Sequence, residues 1–239
     1  MNPFFLYQLR TTDPDGARAF YAAVFGNADA DVFPLHEQAI ARGARPHWLG
    51  FIHVNDIDGA ASAFIARGAV QLGPKWNRDG LEGTVLRDPG GAVVALGRPP
   101  ATSATSSMPA SVFRTEIGWH LLHTAEVERA KVDYRDLFGW DFKEPIEIAN
   151  HGVFHPFGWS AAGPVVGAMA DVAARPGVHP HWLFAFRVSS LESALAAARS
   201  KASWIQKPVA LSNAALADGN GLAVCDDPQG APFALIDRR

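Results

Sequence analysis

The chain has 239 residues, longer than one typical domain of about 100 to 200. With 48% hydrophobic and 19% charged residues it can bury enough apolar surface to offset chain entropy, which excludes a disordered chain. A formal net charge of −3 excludes the basic excess of a nucleic-acid footprint, and a single cysteine, Cys225, excludes a disulfide framework or a thiolate-rich metal site.

The first element predicted is a strand at 4–12, rich in strand formers. Asp13 then stands as a helix N-cap and Pro14 suits the first helical position. Ala17, Phe20, Tyr21 and Val24 share one helical face before Gly26 ends the helix. A second strand at 48–54 leads through Asp56 into a helix carrying Ala60, Ala63 and Phe64, which stops at Gly68. Residues 83–86 and 92–96 flank an Asp-Pro-Gly-Gly turn and read as a hairpin. The stretch RPPATSATSSMPAS at 98–111 has no periodicity and reads as a linker.

The second half follows the same plan. A strand at 113–123 precedes Thr124, which can cap a helix holding Ala130, Tyr134, Leu137 and Phe138, ended by Gly139. The strand at 183–188 runs into Ser189 and Glu192, spaced as a capping box, for a helix through Arg199. A last hairpin joins 221–223 to 232–236 around Asp-Pro-Gln-Gly. The plan is a duplication in three ordered blocks. FYAAVFG at 20–26 recurs as DYRDLFG at 133–139, PHWL at 46–49 recurs at 180–183, and DPGGAVVAL at 88–96 recurs as DPQGAPFAL at 227–235. The pattern is α+β, with helices covering one face of antiparallel-rich sheets. No apolar run approaches the ~20 residues that span a bilayer. The N-terminal MNPFFLYQLR lacks the features of a secretory signal, so a soluble, cytoplasmic chain with no membrane partner is expected.

The segments TTDPDGARAFYAAVFG (11–26), TAEVERAKVDYRDLFGW (124–140), RDPGGAVVAL (87–96) and DDPQGAPFAL (226–235) resemble the vicinal oxygen chelate superfamily of glyoxalases, bleomycin-resistance proteins and dioxygenases. The resemblance implies two tandem glyoxalase-like domains, 1–98 and 112–239, joined by a linker at 99–111. Four βαβββ modules near 1–46, 47–98, 112–179 and 180–239 would pair into two curved, mostly antiparallel sheet cups with helices outside. The first module is shortened after Gly26. The superfamily's chemistry, again by resemblance, uses a divalent metal held inside each cup, which stabilises an enediolate or alkoxide. The ligand positions the resemblance implies are Leu6, Leu49, Trp119 and Leu183 on first strands and Ala95 and Ala234 on last strands. None of these side chains can ligate a cation. No metal ligand and no cofactor are therefore expected. Zinc, nickel, iron or manganese enters only if the true ligands stand elsewhere, such as in the middle strands of the first and third modules.

Strand alternation places Gln8 and Arg10 on the face of Leu6, His53 on that of Leu49, His123 on that of Trp119 and Arg187 on that of Leu183. Arg10 with His53, and Arg187 with His123, would supply one cation and one imidazole per cup, fit for an aromatic or anionic ligand. Trp119 and Met169 are candidate apolar lining. The candidate ligand-binding set is Gln8, Arg10, His53, Trp119, His123, Met169 and Arg187; no catalytic residue is assigned. Each also has a plain structural role open to it: strand-end solvation for the charged groups, sheet hydrogen bonding for Gln8, core filling for Trp119 and Met169. His47 and His181, in both PHW triplets, read as packing residues, and His179 with His181 shares one strand face, where metal binding is open. His151 and His155 belong to a hairpin or lid within some 21 residues extra to the second half.

Three functions are consistent with these residues. The first is a metal-independent small-molecule binding protein, monomeric or homodimeric. The second is a metal-dependent lyase, isomerase or dioxygenase. The third is a non-catalytic interaction protein.

Overall fold

A computed structural model describes residues 2–26, 30–100, 116–148, 151–173, 177–200, 209–210 and 221–237. The fold is α+β, with sixteen strands in two sheets and five helices among these residues.

The first half contributes β1 (Phe4–Thr11), α1 (Pro14–Phe25), β2 (Val32–Pro34), α2 (Glu37–Ala41), β3 (His47–His53) and α3 (Ile57–Ala66). Four strands follow: β4 (Val70–Gln71), β5 (Trp76–Arg78), β6 (Leu81–Arg87) and β7 (Val93–Arg98). They form a seven-stranded sheet in the order β2-β1-β3-β7-β6-β4, with β5 on β6. The second half contributes β8 (Ile117–Thr124), α4 (Val127–Phe138), β9 (Asp141–Phe142), β10 (Ile146–Ile148), β11 (Gly152–Gly158) and β12 (Gly167–Asp171). The chain ends with β13 (His181–Val188), α5 (Leu191–Ser200), β14 (Val209–Ala210), β15 (Gly221–Asp226) and β16 (Pro232–Asp237). This nine-stranded sheet has the order β10-β11-β12-β8-β13-β16-β15-β14, with β9 on β11.

In three modules the last strand returns parallel to the first: β7 beside β3, β12 beside β8 and β16 beside β13. The first module has fewer sheet strands than the other three among the described residues. After α1 its one sheet strand among the described residues is β2, which lies parallel to β1 where the others place their last strand. The linker segment from 101 onward falls outside the described residues.

Most local signals hold. The Asp13 carboxylate accepts from the Gly16 amide, Pro14 opens α1, Gly26 closes it in the left-handed region, and Ala17, Phe20, Tyr21 and Val24 are its buried face. Two caps differ from expectation. Thr124 belongs to β8, and its hydroxyl accepts from the Glu126 amide in a turn before the helix. Glu126 is the N-cap residue of α4, with no side-chain hydrogen bond. For α5 the cap is Ser190, whose Oγ accepts from the Ser193 amide, because β13 runs to Val188 and delays the helix by one residue.

The sheets follow the sequence halves, but the compact units do not. One unit is Met1–Leu6, Gly50–Ser107 and His120–Trp182; the other is Tyr7–Leu49, Met108–Trp119 and Leu183–Arg239. The repeated motifs explain this division. In the first unit the Trp182 indole donates to the Tyr134 hydroxyl (3.3 Å), which donates to the Asp88 carboxylate (3.0 Å). In the second unit Trp48 donates to Tyr21 (2.9 Å), which donates to Asp227 (3.2 Å). In each relay the hairpin Asp comes from the opposite half of the sequence. Both relays are buried, as the polar ends of large indole and phenol side chains require partners when taken from water. Around them, α3 meets α4 through Phe64, Tyr134 and Phe138, and α1 meets α5 beside Phe20, Phe25, Phe186 and Phe233. Repeated PHW and DP-x-G segments are thus core hydrogen-bonding devices.

Candidate functional site

Gln8 on β1 is buried, and its amide donates to Asp31 (3.1 Å). Its carbonyl oxygen accepts from the Arg10 guanidinium (2.7 Å), which also lies over the Phe33 ring at 4.8 Å. Arg187 on β13 sits with its Nε 3.2 Å from the Glu116 carboxylate. Gly118 makes room for it, since a Cβ there would come within 2.9 Å of both Arg187 and Ile236. Trp119 is buried in β8. These four residues belong to the second unit. His53, at the end of β3, His123, at the end of β8, and Met169, fully buried in β12 beside Leu122, belong to the first. The His53 ring meets Phe5 edge-on at 5.8 Å.

The six positions where the resemblance implies metal ligands are filled by buried apolar side chains. Leu6, Leu49, Trp119, Leu183, Ala95 and Ala234 are each at most 5% exposed. Phe51 pairs with Ala95 and Ala185 with Ala234 in the parallel registers, so hydrocarbon meets hydrocarbon across these strands. Among the described residues no three His, Cys, Asp or Glu side chains gather as a metal-binding group. Methyl, isobutyl and indole groups present no donor to a hard or borderline cation, so this set does not fit the metal of the fold.

Two other imidazoles are strongly perturbed by burial. His120 is buried in β8, stacked on Phe4 and edge-on to Trp159, and burial lowers it to about 4 while its Nδ1 lies 2.9 Å from the Val166 carbonyl oxygen. His181 at the start of β13 is likewise lowered by burial to about 4. Cys225 is buried on β15, its thiol pushed up to about 12 by burial and then by Asp226, which makes it inert as a nucleophile.

A cleft of about 820 Å³ opens where the first turn of α4 faces β11 and β12, lined by Glu126, Val127, Glu128, Arg129, Gly152, Val153, His155 and Asp171. Burial and then Lys131 lower the His155 imidazole. His155 stands in the β10–β11 hairpin that the extra segment was expected to form, with His151 in its turn. The other cleft residues are not legible in the sequence because three separate elements supply them.

No family model matches the chain, and no curated protein matches it. Solved structures do. The halotolerant catechol dioxygenase BphC superposes with a TM-score of 0.64 at 14% identity, over 98% of this chain and 86% of that one. The dioxygenase LapB from Pseudomonas sp. KL28 gives 0.62 at 12% identity, over 98% and 91%. A Mn(II)-bound glyoxalase from Novosphingobium aromaticivorans gives 0.61 at 14%, over 99% and 83%. The fold is the one these dioxygenases and this glyoxalase share. Coverage of 98–99% extends this fold across both sheets, including the shortened first module. No helix among the described residues is long and apolar enough to cross a membrane.

Proposed function

We propose that this vicinal oxygen chelate-fold chain is a cytoplasmic binding protein for a small aromatic or anionic metabolite or drug, acting without the fold's usual metal centre as a monomer or homodimer. The observation that carries the reading is the replacement of all six expected ligand positions by buried Leu, Trp and Ala. Such a chain keeps the scaffold and loses the Lewis acid, so binding is the activity left to it. The Arg10 and Arg187 guanidinium groups supply the anion-recognising chemistry, each already held in place, by Gln8 and by Glu116. Of the other candidate contacts, Gln8 and Trp119 belong to the same compact unit as the two arginines, whereas His53, His123 and Met169 belong to the other.

The test is a thermal-shift screen of untagged protein against aromatic carboxylates and aryl phosphates. A subset should raise the melting temperature, and Arg187→Ala should abolish the carboxylate-dependent part of the shift. Glu116 is mostly exposed, so this substitution leaves no buried charge behind. An unchanged shift in that variant removes Arg187 from the site. The second reading, a metal-dependent dioxygenase or glyoxalase-type enzyme, is favoured by the structural relatives, which are dioxygenases and a Mn(II)-bound glyoxalase. Cleavage of a catechol by manganese- or iron-loaded protein would establish it and overturn the first.

A further inference from the structure

The cleft between α4, β11 and β12 is lined wholly by residues of the first compact unit. His155 pairs in register with Met169, and Met169 with Leu122, so these three side chains share one face of the sheet. Leu122 alternates along β8 with Leu121 and His123, which puts His155 on the face opposite His123. There the first turn of α4 stands over the strands and brings a Glu128 carboxylate oxygen 3.9 Å from the His155 Nδ1. At about 820 Å³ the cleft falls within the range of small-molecule sites, roughly 300–1,000 Å³.

Its chemistry is that of an incomplete hydrogen-bond network. The His155 side chain is only 12% exposed, and its Nδ1 is fully buried with no hydrogen-bond partner. The Glu128 oxygen that approaches this nitrogen stays beyond hydrogen-bond range. Burial and then Lys131 keep the ring neutral at physiological pH, so it can accept a hydrogen bond. Three carboxylates line the same space. Glu126 is paired with Arg129 at 3.2 Å, and both Glu128 oxygens lie 3.0 Å from the Lys131 ammonium. Asp171 has no cationic partner among the described residues; its Oδ1 accepts from the Ala173 amide at 2.8 Å. With His155 neutral, Glu126, Glu128 and Asp171 outweigh Arg129 and Lys131, so the cleft repels anions and attracts a cation. Val127, Gly152 and Val153 give it an apolar wall, on which Val153 is 44% exposed.

We infer that this cleft binds a small organic amine in its ammonium form, with its N–H groups shared among Asp171, Glu128 and the His155 Nδ1 and its hydrocarbon part against Val127 and Val153. A nitrogen about 2.8 Å from each of two acceptors that are 3.9 Å apart subtends an angle of about 90°, which the diverging N–H bonds of an ammonium accommodate. The ammonium of Lys131, held by Glu128, shows the same contact made from within the chain. The site does not depend on the binding reading above, since neither Arg10 nor Arg187 lines it.

Titration calorimetry of the full-length chain with the hydrochlorides of benzylamine, phenethylamine and isobutylamine tests the inference, with benzyl alcohol as the uncharged control. At least one amine should bind one to one, tenfold or more tighter than benzyl alcohol. Asp171→Asn keeps an acceptor for the Ala173 amide and removes the charge, whereas His155→Phe keeps a ring and removes the acceptor. Each should weaken amine binding at least fivefold. Asp15→Asn, at a 97% exposed side chain on α1, should leave it unchanged. Affinity should fall as pH drops below the ordinary imidazole value of 6.5, because a protonated ring repels the ammonium, and His155→Phe should flatten that fall. Melting curves accompany His155→Phe; should it fail to fold, Asp171→Asn carries the comparison. No binding of any of the three amines, equal binding of benzyl alcohol, or undiminished affinity in Asp171→Asn overturns the site. Arg187→Ala should retain amine binding, so failure here and failure of the anion-binding reading are seen in different variants.

Discussion

Asp88 shows how much one buried carboxylate can decide. Its Oδ1 accepts from the Ala92 amide (2.8 Å) and its Oδ2 from the Tyr134 hydroxyl, yet burial outweighs these bonds and raises its pKa to about 6. The folded chain therefore holds a proton between the unfolded value of 3.8 and about 6 that the unfolded chain has released. Stability conferred by this group is complete below the lower value and is lost as pH rises through the upper one, a change of roughly 3 kcal/mol across the window. Asp88→Asn is neutral throughout. Urea denaturation at intervals from pH 4 to 7 should show the variant lacking that part of the decline, and identical slopes for the two proteins would refute the assignment. Asp227, in the matching relay, is shifted in the same direction by burial. In the sequence the two aspartates were visible only as turn residues of DPGG and DPQG. Their buried role depends on tyrosines 46 and 206 residues away.

At the scale of elements, the pairing of β12 with β8 rests on close backbone approach. Gly167 lies beside His120 in the parallel register, and a Cβ there would come 2.3 Å from the His120 carbonyl oxygen and 2.6 Å from the Phe157 ring. One of these obstacles is backbone and cannot swing aside. Gly167→Ala should cost roughly 3 kcal/mol, at the upper end of ordinary overpacking, measured as a shift in denaturation midpoint. It should also loosen His120, whose imidazole is held against the Val166 carbonyl next to the glycine. A loss below about 0.5 kcal/mol, the range of ordinary surface changes, would show that the strands separate without strain. Strand and helix existence at this scale was legible from period and punctuation: α1 matches its four predicted buried positions, and both hairpins fall on their DP turns. The caps of α4 and α5 were misplaced by one or two residues. Thr124 and Ser189 have the right chemistry, but strand length chose Glu126 and Ser190 instead.

At the scale of the molecule, the duplication produces interleaved partners. Asp88, Phe64 and Arg67 of the first half meet Tyr134, Phe138 and Asp133 of the second, and Tyr21 meets Asp227. A fragment of residues 1–98 keeps its seven-stranded sheet but leaves Asp88 and Tyr21 without those hydrogen-bond partners and α3 without α4. It should lack a cooperative thermal transition and fixed near-ultraviolet circular dichroism, and the full chain should show both. A cooperative melt of the fragment alone would show that the sheet suffices.

Local chemistry is written in the order of residues, and so the sequence alone determined the α+β class, the repeated modules, the shortened first module and the absence of donors at six expected ligand positions. Each follows from side-chain type, spacing or turn preference within a few residues. What tertiary structure decided is which distant groups meet: the relays that join opposite halves, the separation of Arg10 from His53 and of Arg187 from His123 into different compact units, and the gathering of Glu128, His155 and Asp171 around one cleft. Those outcomes depend on strand register and helix packing over many tens of residues, where a shift of one position turns every side chain to the other face.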